Sequence, residues 1–115
     1  MNTTPTITRH ELQAALDAGD VTVVETLGPL YYDDAHLPGA INIPHAEVVR
    51  LAPQLLPDKD APIVTYCSNT ACRNSEIAAV QLRSLAYSNV RKYAEGKDDW
   101  RNAGLALQSD TAVAA

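Results

Sequence analysis

A short run of apolar and β-favouring residues, Ile63-Val-Thr-Tyr66, stops abruptly at Cys67. A stretch without apolar periodicity follows as far as Arg73, and a helical pattern opens at Ser75. This order puts a thiol at the carboxyl end of a strand and aims it at the amino end of a helix. Unpaired backbone N–H groups and the helix dipole at that end favour a thiolate or another anion. Arg73 adds a fixed positive charge at the same rim. The unit therefore predicts a cysteine nucleophile in an anion-binding bowl.

The same alternation runs along the chain. Ile7 lies in a short Thr-rich strand candidate. Thr8 with Glu11 reads as a capping box, and Leu12, Ala15 and Leu16 repeat at helical spacing until Gly19. Val21 to Thr26 reads as a buried strand, Pro38-Gly39 as a loop, and Ala40 to Ile43 as a brief strand. Val48, Leu51, Leu55 and Leu56 predict helical turns interrupted at Pro53 and stopped by Pro57. Ala78, Ala79, Leu82, Leu85 and Ala86 form the stripe of the helix after the cysteine loop. Val90 to Tyr93 makes a last strand, and Asp98 to Ala103 a closing helix ended by Gly104. Strands separated by helices imply right-handed crossovers and a mostly parallel sheet covered on both faces. Ligands bind beyond the carboxyl ends of such strands, where Cys67 falls.

Composition bounds the function. A chain of 115 residues, 46% of them hydrophobic, fits one domain with a single core. The expected core spans about residues 7–107, with 108–115 as a loose tail. A net charge of -5 and the lack of a basic stripe argue against nucleic-acid and anionic-membrane partners. No apolar run approaches the roughly 20 residues of a membrane span. Met1-Asn-Thr-Thr-Pro5 lacks the features of a signal peptide, so a cytoplasmic location is expected. Two cysteines in that setting point to catalytic or redox use rather than to a staple.

His36-Leu-Pro-Gly-Ala-Ile-Asn-Ile-Pro44 resembles the signature before the third strand of rhodanese-homology domains. Tyr66-Cys67 resembles their active-site strand end, and Asn89 to Tyr93 with Gly96, Trp100 and Ala103-Gly104-Leu105 their closing segment. The likeness covers about residues 7–107. It implies a rhodanese-like α/β fold: a five-stranded, mostly parallel sheet flanked by helices on both faces. It departs from the family pattern at Glu25-Thr26-Leu27, which keeps an acid but lacks the family's arginine, and at Glu95-Gly96, where paired glycines are usual. The loop itself has no glycine. Cys67, Cys72 and Ser75 match a family variant with a second cysteine.

Each candidate has a plainer reading beside the functional one. Cys67 is either a buried apolar thiol or the nucleophile, and its place before a helix N-terminus favours the latter. Backbone N–H groups of Ser68, Asn69, Thr70, Ala71, Cys72 and Arg73 are expected to hold a thiolate or a bound anion. The Arg73 side chain, mildly unfavourable at a helix start, is read as an anion-holding group. Cys72 is either a small core thiol or a resolving thiol that attacks a modified Cys67. Ser75 is read as an N-cap and His36 as a loop-fixing hydrogen-bonding group, while His45 is given no role. Asp33-Asp34 and Asp98-Asp99 are read as solvated acids, and Trp100 as a packing anchor. The scattered histidines do not predict a metal site.

The resemblance implies a sulfurtransferase that moves a sulfane sulfur from thiosulfate, a polysulfide or a persulfide to a thiol or cyanide through a Cys67 persulfide, with no cofactor. Its partners would be a small-molecule or protein sulfur donor and a thiol acceptor. Two other readings stand beside it. The Cys-x5-Arg spacing resembles the loops of phosphatases and arsenate reductases on this fold. A non-catalytic or redox-sensing module would also keep both cysteines.

Overall fold

The computed structural model describes residues 4–109. Four strands, β1 (Thr22–Glu25), β2 (Ile41–Asn42), β3 (Ile63–Tyr66) and β4 (Val90–Tyr93), form one sheet in the order β2-β1-β3-β4. All three pairings are parallel, with Glu25 beside Tyr66 and Tyr66 beside Tyr93. The helices are α1 (Arg9–Ala18), α2 (Pro29–Asp34), α3 (Val48–Leu55), α4 (Asn74–Ser84) and α5 (Gly96–Asn102).

Alternation along the strands sorts the core into two layers. Val24, Ile63 and Val90 point to one face, where Val48 and Ala52 of α3 and Ala78, Ala79 and Leu82 of α4 cover them. Val23, Val64, Tyr66 and Tyr93 point to the other, against Leu12 of α1 and Trp100 of α5. Trp100 is buried, as expected of an anchor, and meets Tyr93 edge to face.

The expected five-stranded sheet is corrected to four strands. The segment around Ile7 makes a single parallel bridge, Thr6 to Lys92. Ile7 N–H donates to Lys92 O, and Lys92 N–H donates to Pro5 O. Pro5 has no N–H to extend the ladder, and Thr8 already caps α1. That cap is the expected box: Thr8 Oγ1 accepts from Glu11 N–H, and the Glu11 carboxylate accepts from Thr8 N–H. Gly19, in left-handed geometry, closes the helix.

Three other elements differ from the sequence reading. The α3 helix runs through Pro53 instead of breaking there. Tyr87 Oη is within hydrogen-bond reach of the Ala52 and Leu56 carbonyls at the end of that helix, 3.1 and 2.6 Å away. The short α2 helix was missed, although Pro29 after Gly28 is a standard helix opening. At Gln108, where the sequence reading starts a loose tail, the backbone exchanges both hydrogen bonds with His36. Residues 110–115 lie outside the described residues.

The α4 helix ends in a Schellman arrangement: Ala86 N–H donates to Arg83 O and Tyr87 N–H to Leu82 O. Ala86 holds φ +75, the left-handed position that glycine usually fills. Strain there costs an alanine about 1 kcal/mol, partly offset because glycine has more unfolded-state entropy to lose. Ala86→Gly is therefore expected to raise unfolding stability by about 0.5 kcal/mol, read as a higher urea midpoint with an unchanged slope.

Candidate active site

Cys67 follows the last residue of β3 directly, and its side chain is only 2% exposed. The loop climbs from Ser68 through exposed Thr70 and Ala71 and descends to Arg73, after which α4 begins. Asn69 shapes the curve. Its Oδ1 accepts from Ala71 N–H at 3.0 Å, its carbonyl accepts from Cys72 N–H at 3.1 Å, and its Nδ2 donates to Asp98 at 3.1 Å. The first of these is an Asx turn, which curls the chain without a glycine. The curl brings Cys72 back to Cys67. Their Sγ atoms are joined as a disulfide, with Cα atoms 6.3 Å apart.

Ser75 is not the N-cap. That position belongs to Arg73, and Ser75 sits buried in the first turn of α4, 3.6 Å from Cys67 Sγ through its hydroxyl. Thr65 Oγ1 donates to the Ser75 carbonyl at 3.0 Å and so ties the start of α4 to β3. The Arg73 guanidinium is exposed and has no hydrogen bond or ion pair among the described residues. The residue stands where the loop meets α4, with its charge uncommitted.

The floor of the site was not legible in advance. Lys97 N–H donates to the Cys67 carbonyl and Asp98 N–H to the Ser68 carbonyl, both at 2.8 Å. These bonds need Gly96, which has φ +72: a Cβ built there would lie 2.5 Å from Cys67 O. Beneath them is a buried charge pair. The Lys97 ammonium lies 3.0 Å from the Glu25 carboxylate, with side chains 7% and 0% exposed. Tyr66 Oη donates to the same carboxylate at 2.7 Å and accepts from Leu37 N–H at 3.0 Å. Lys97 Nζ also donates to Tyr31 O at 3.1 Å.

Burial pushes the Glu25 carboxyl above its ordinary range, against the pull of hydrogen bonds from Tyr66 and Lys97. Burial, then the Glu25 charge, pushes the Tyr66 phenol well up, so it remains a donor. The acids of the closing segment are not simply solvated either. Asp99 accepts from Tyr93 Oη and from Arg9, and its carboxyl is lowered, first by the Tyr93 hydrogen bond. His36 behaves as the sequence suggests: its Nδ1 lies 2.8 Å from Leu37 O, and its ring stacks on Tyr32. Among the described residues no cluster of three or more His, Cys, Asp or Glu side chains could hold a metal ion. No described helix is long and apolar enough to cross a membrane. A cavity lined by Leu16, Pro38, Trp100 and Leu105 contains no residue of the cysteine loop.

Residues 8–103 match the model of the rhodanese-like domain. The chain is 37% identical over 107 residues to an HTH-type transcriptional regulator of Mycobacterium tuberculosis, a match covering 93% of this chain and 46% of that protein. It is 36% identical over 70 residues to the thiosulfate sulfurtransferase PspE of Escherichia coli, covering 61% of this chain and 65% of that protein. The chain thus spans less than two thirds of the length of either relative. The crystal structure of the BH2092 protein of Bacillus halodurans superimposes with a TM-score of 0.84 at 23% identity, covering 93% of this chain and 78% of that one. That likeness carries the fold.

Removing Lys97 strands a buried carboxylate, so Lys97→Met is expected to cost about 3–5 kcal/mol of stability. Adding Glu25→Gln to that variant removes the stranded charge and should recover a large share of the loss. Urea unfolding of both single variants and the double variant measures the coupling.

Proposed function

The chain belongs to the family of rhodanese-like domains, and from that membership we propose that it is a sulfurtransferase working through Cys67. The observation that carries the reading is the cysteine's placement: its thiol leaves the end of β3 and meets the first turn of α4, beside the Ser75 hydroxyl. The similarity to a protein named thiosulfate sulfurtransferase supports it.

The working form is the reduced one, with Cys67 and Cys72 both as thiols. The Cys67 thiolate attacks the outer sulfur of thiosulfate, a polysulfide or a persulfide. The donor's S–S bond breaks, and sulfite or a shorter sulfur species leaves with the electron pair. Cys67 then carries a persulfide. A thiolate or cyanide attacks its outer sulfur and takes it away as a new persulfide or thiocyanate, restoring the Cys67 thiolate. Two half-reactions through one covalent intermediate give ping-pong kinetics. The helix end and the loop N–H groups hold the negative charge of the thiolate and of the persulfide. Arg73, exposed and uncommitted, holds the anionic donor. No cofactor takes part, and the partners are a small-molecule or protein sulfur donor and a thiol acceptor.

The pairing of Cys67 with Cys72 also favours a second reading, an oxidant-responsive dithiol module. Peroxide treatment without a sulfur donor, followed by the same activity assay after re-reduction, separates the two. A sensing module forms the disulfide and never turns over sulfur.

A serine hydroxyl cannot carry a transferable sulfur, so Cys67→Ser is expected to abolish thiosulfate:cyanide activity while the variant still unfolds in urea as one cooperative transition. Retained activity in that variant removes the central claim. Arg73→Ala is expected to lower kcat/KM for thiosulfate by about 10- to 100-fold, the loss of one charge-assisted contact of ~1.5–3 kcal/mol. A neutral trisulfide donor should lose much less. Equal losses with both donors would make Arg73 a structural residue.

A further inference from the structure

We propose that Cys72 is a second reacting thiol, which discharges the Cys67 persulfide as sulfide so that the loop reduces a sulfane sulfur without an outside acceptor. The inference rests on the sulfur-transfer reading of Cys67 and assigns a fate to the sulfur it carries.

The Sγ atoms of the two cysteines are joined in this structure, and these are the chain's 2 cysteines. Their Cα atoms, 6.3 Å apart, lie within the range that a disulfide spans without backbone movement. The curl that brings them together is built: Asn69 holds it through Ala71 N–H and Cys72 N–H and is itself tied to Asp98 on α5. A chance approach of two thiols on a slack loop would need none of these bonds. Finally, the two cysteine residues differ in burial. Cys67 is buried, while Cys72 is only partly covered and lies nearer the exposed crest at Thr70 and Ala71.

The Cys72 thiolate attacks Sγ of the Cys67 persulfide. The bond from that Sγ to the outer sulfur breaks, and the outer sulfur leaves with the electron pair as hydrosulfide. The sulfane sulfur is reduced by two electrons, the two thiols are oxidised, and a Cys67–Cys72 disulfide remains. A dithiol, small or protein-borne, reopens it. Attack falls on the sulfur of Cys72, the less buried residue, and Cys67 departs as a thiolate stabilised by the start of α4. The dithiol's second thiol then closes its own disulfide and frees Cys72. The cycle thereby converts thiosulfate and a dithiol into sulfite, sulfide and an oxidised dithiol.

The test uses fully reduced protein, freed of reductant and held without oxygen, given one equivalent of thiosulfate. Intact mass and released sulfide are followed together. The parent is expected to release one sulfide per chain and to end as the internal disulfide. Cys72→Ala should gain the mass of one sulfur atom, keep it and release no sulfide. Cys72→Ser, which preserves polarity and size, repeats the measurement should the alanine variant fold poorly. Equal persulfide lifetimes in the parent and both variants overturn the proposal, as does sulfur mapped to Cys72 in the parent without sulfide release. A different failure marks the underlying reading: neither parent nor variants gain or reduce sulfur, from thiosulfate or from inorganic polysulfide.

Discussion

The contact between the end of β3 and the start of α5 fixes everything else at the site. A loop leaving a buried parallel strand exposes carbonyls that the sheet no longer pairs. At Cys67 and Ser68 those carbonyls accept from Lys97 and Asp98 N–H. Left unpaired in this buried position, each would cost about 1–3 kcal/mol. The bonds form only because Gly96 lets the two backbones approach, since any Cβ there would collide with Cys67 O. The closing helix is thus part of the cysteine loop's floor, although it lies about thirty residues further along the chain.

The Glu25–Lys97 pair beneath this contact is better understood as a register device than as a source of stability. Burying two charges consumes most of what their attraction returns. What the pair does is allow one arrangement. Glu25 ends β1, Tyr66 ends β3 and Lys97 opens α5, and all three meet at one carboxylate. A shift of α5 by one residue would leave that carboxylate without its cation. The arginine that the family resemblance leads one to expect just after Glu25 is absent, and Lys97 supplies a positive charge from another part of the chain.

The legible parts of the sequence were those written locally. The Thr8–Glu11 box, the Gly19 stop and the strand that ends at Cys67 each depend on a few neighbouring residues. The missed parts depend on distance. Glu25 and Lys97 stand 72 residues apart, and no local pattern pairs them. Ser75 looked like a cap because serine often is one; the helix began earlier, and burial turned its hydroxyl toward Cys67. The short first strand failed because Pro5 and the α1 cap left room for one bridge. The α2 helix, too short for an apolar stripe, could have been found from Pro29 alone.

The loop without glycine carries a further consequence. Among the described residues the sole non-glycine with positive φ is Ala86, far from the site, so the cysteine loop turns without left-handed backbone. The Asn69 side chain does the turning by accepting from Ala71, and its amide anchors the crest to Asp98. A glycine loop would bring flexibility; an asparagine loop specifies one curl. The same curl leaves the two cysteines differently covered, Cys67 buried and Cys72 only partly so. In thiol–disulfide exchange the accessible sulfur receives the attack and the better-stabilised thiolate leaves. In the exchange proposed for Cys67 and Cys72 both preferences favour the same order, so on that proposal the residue that shapes the loop also sets its direction.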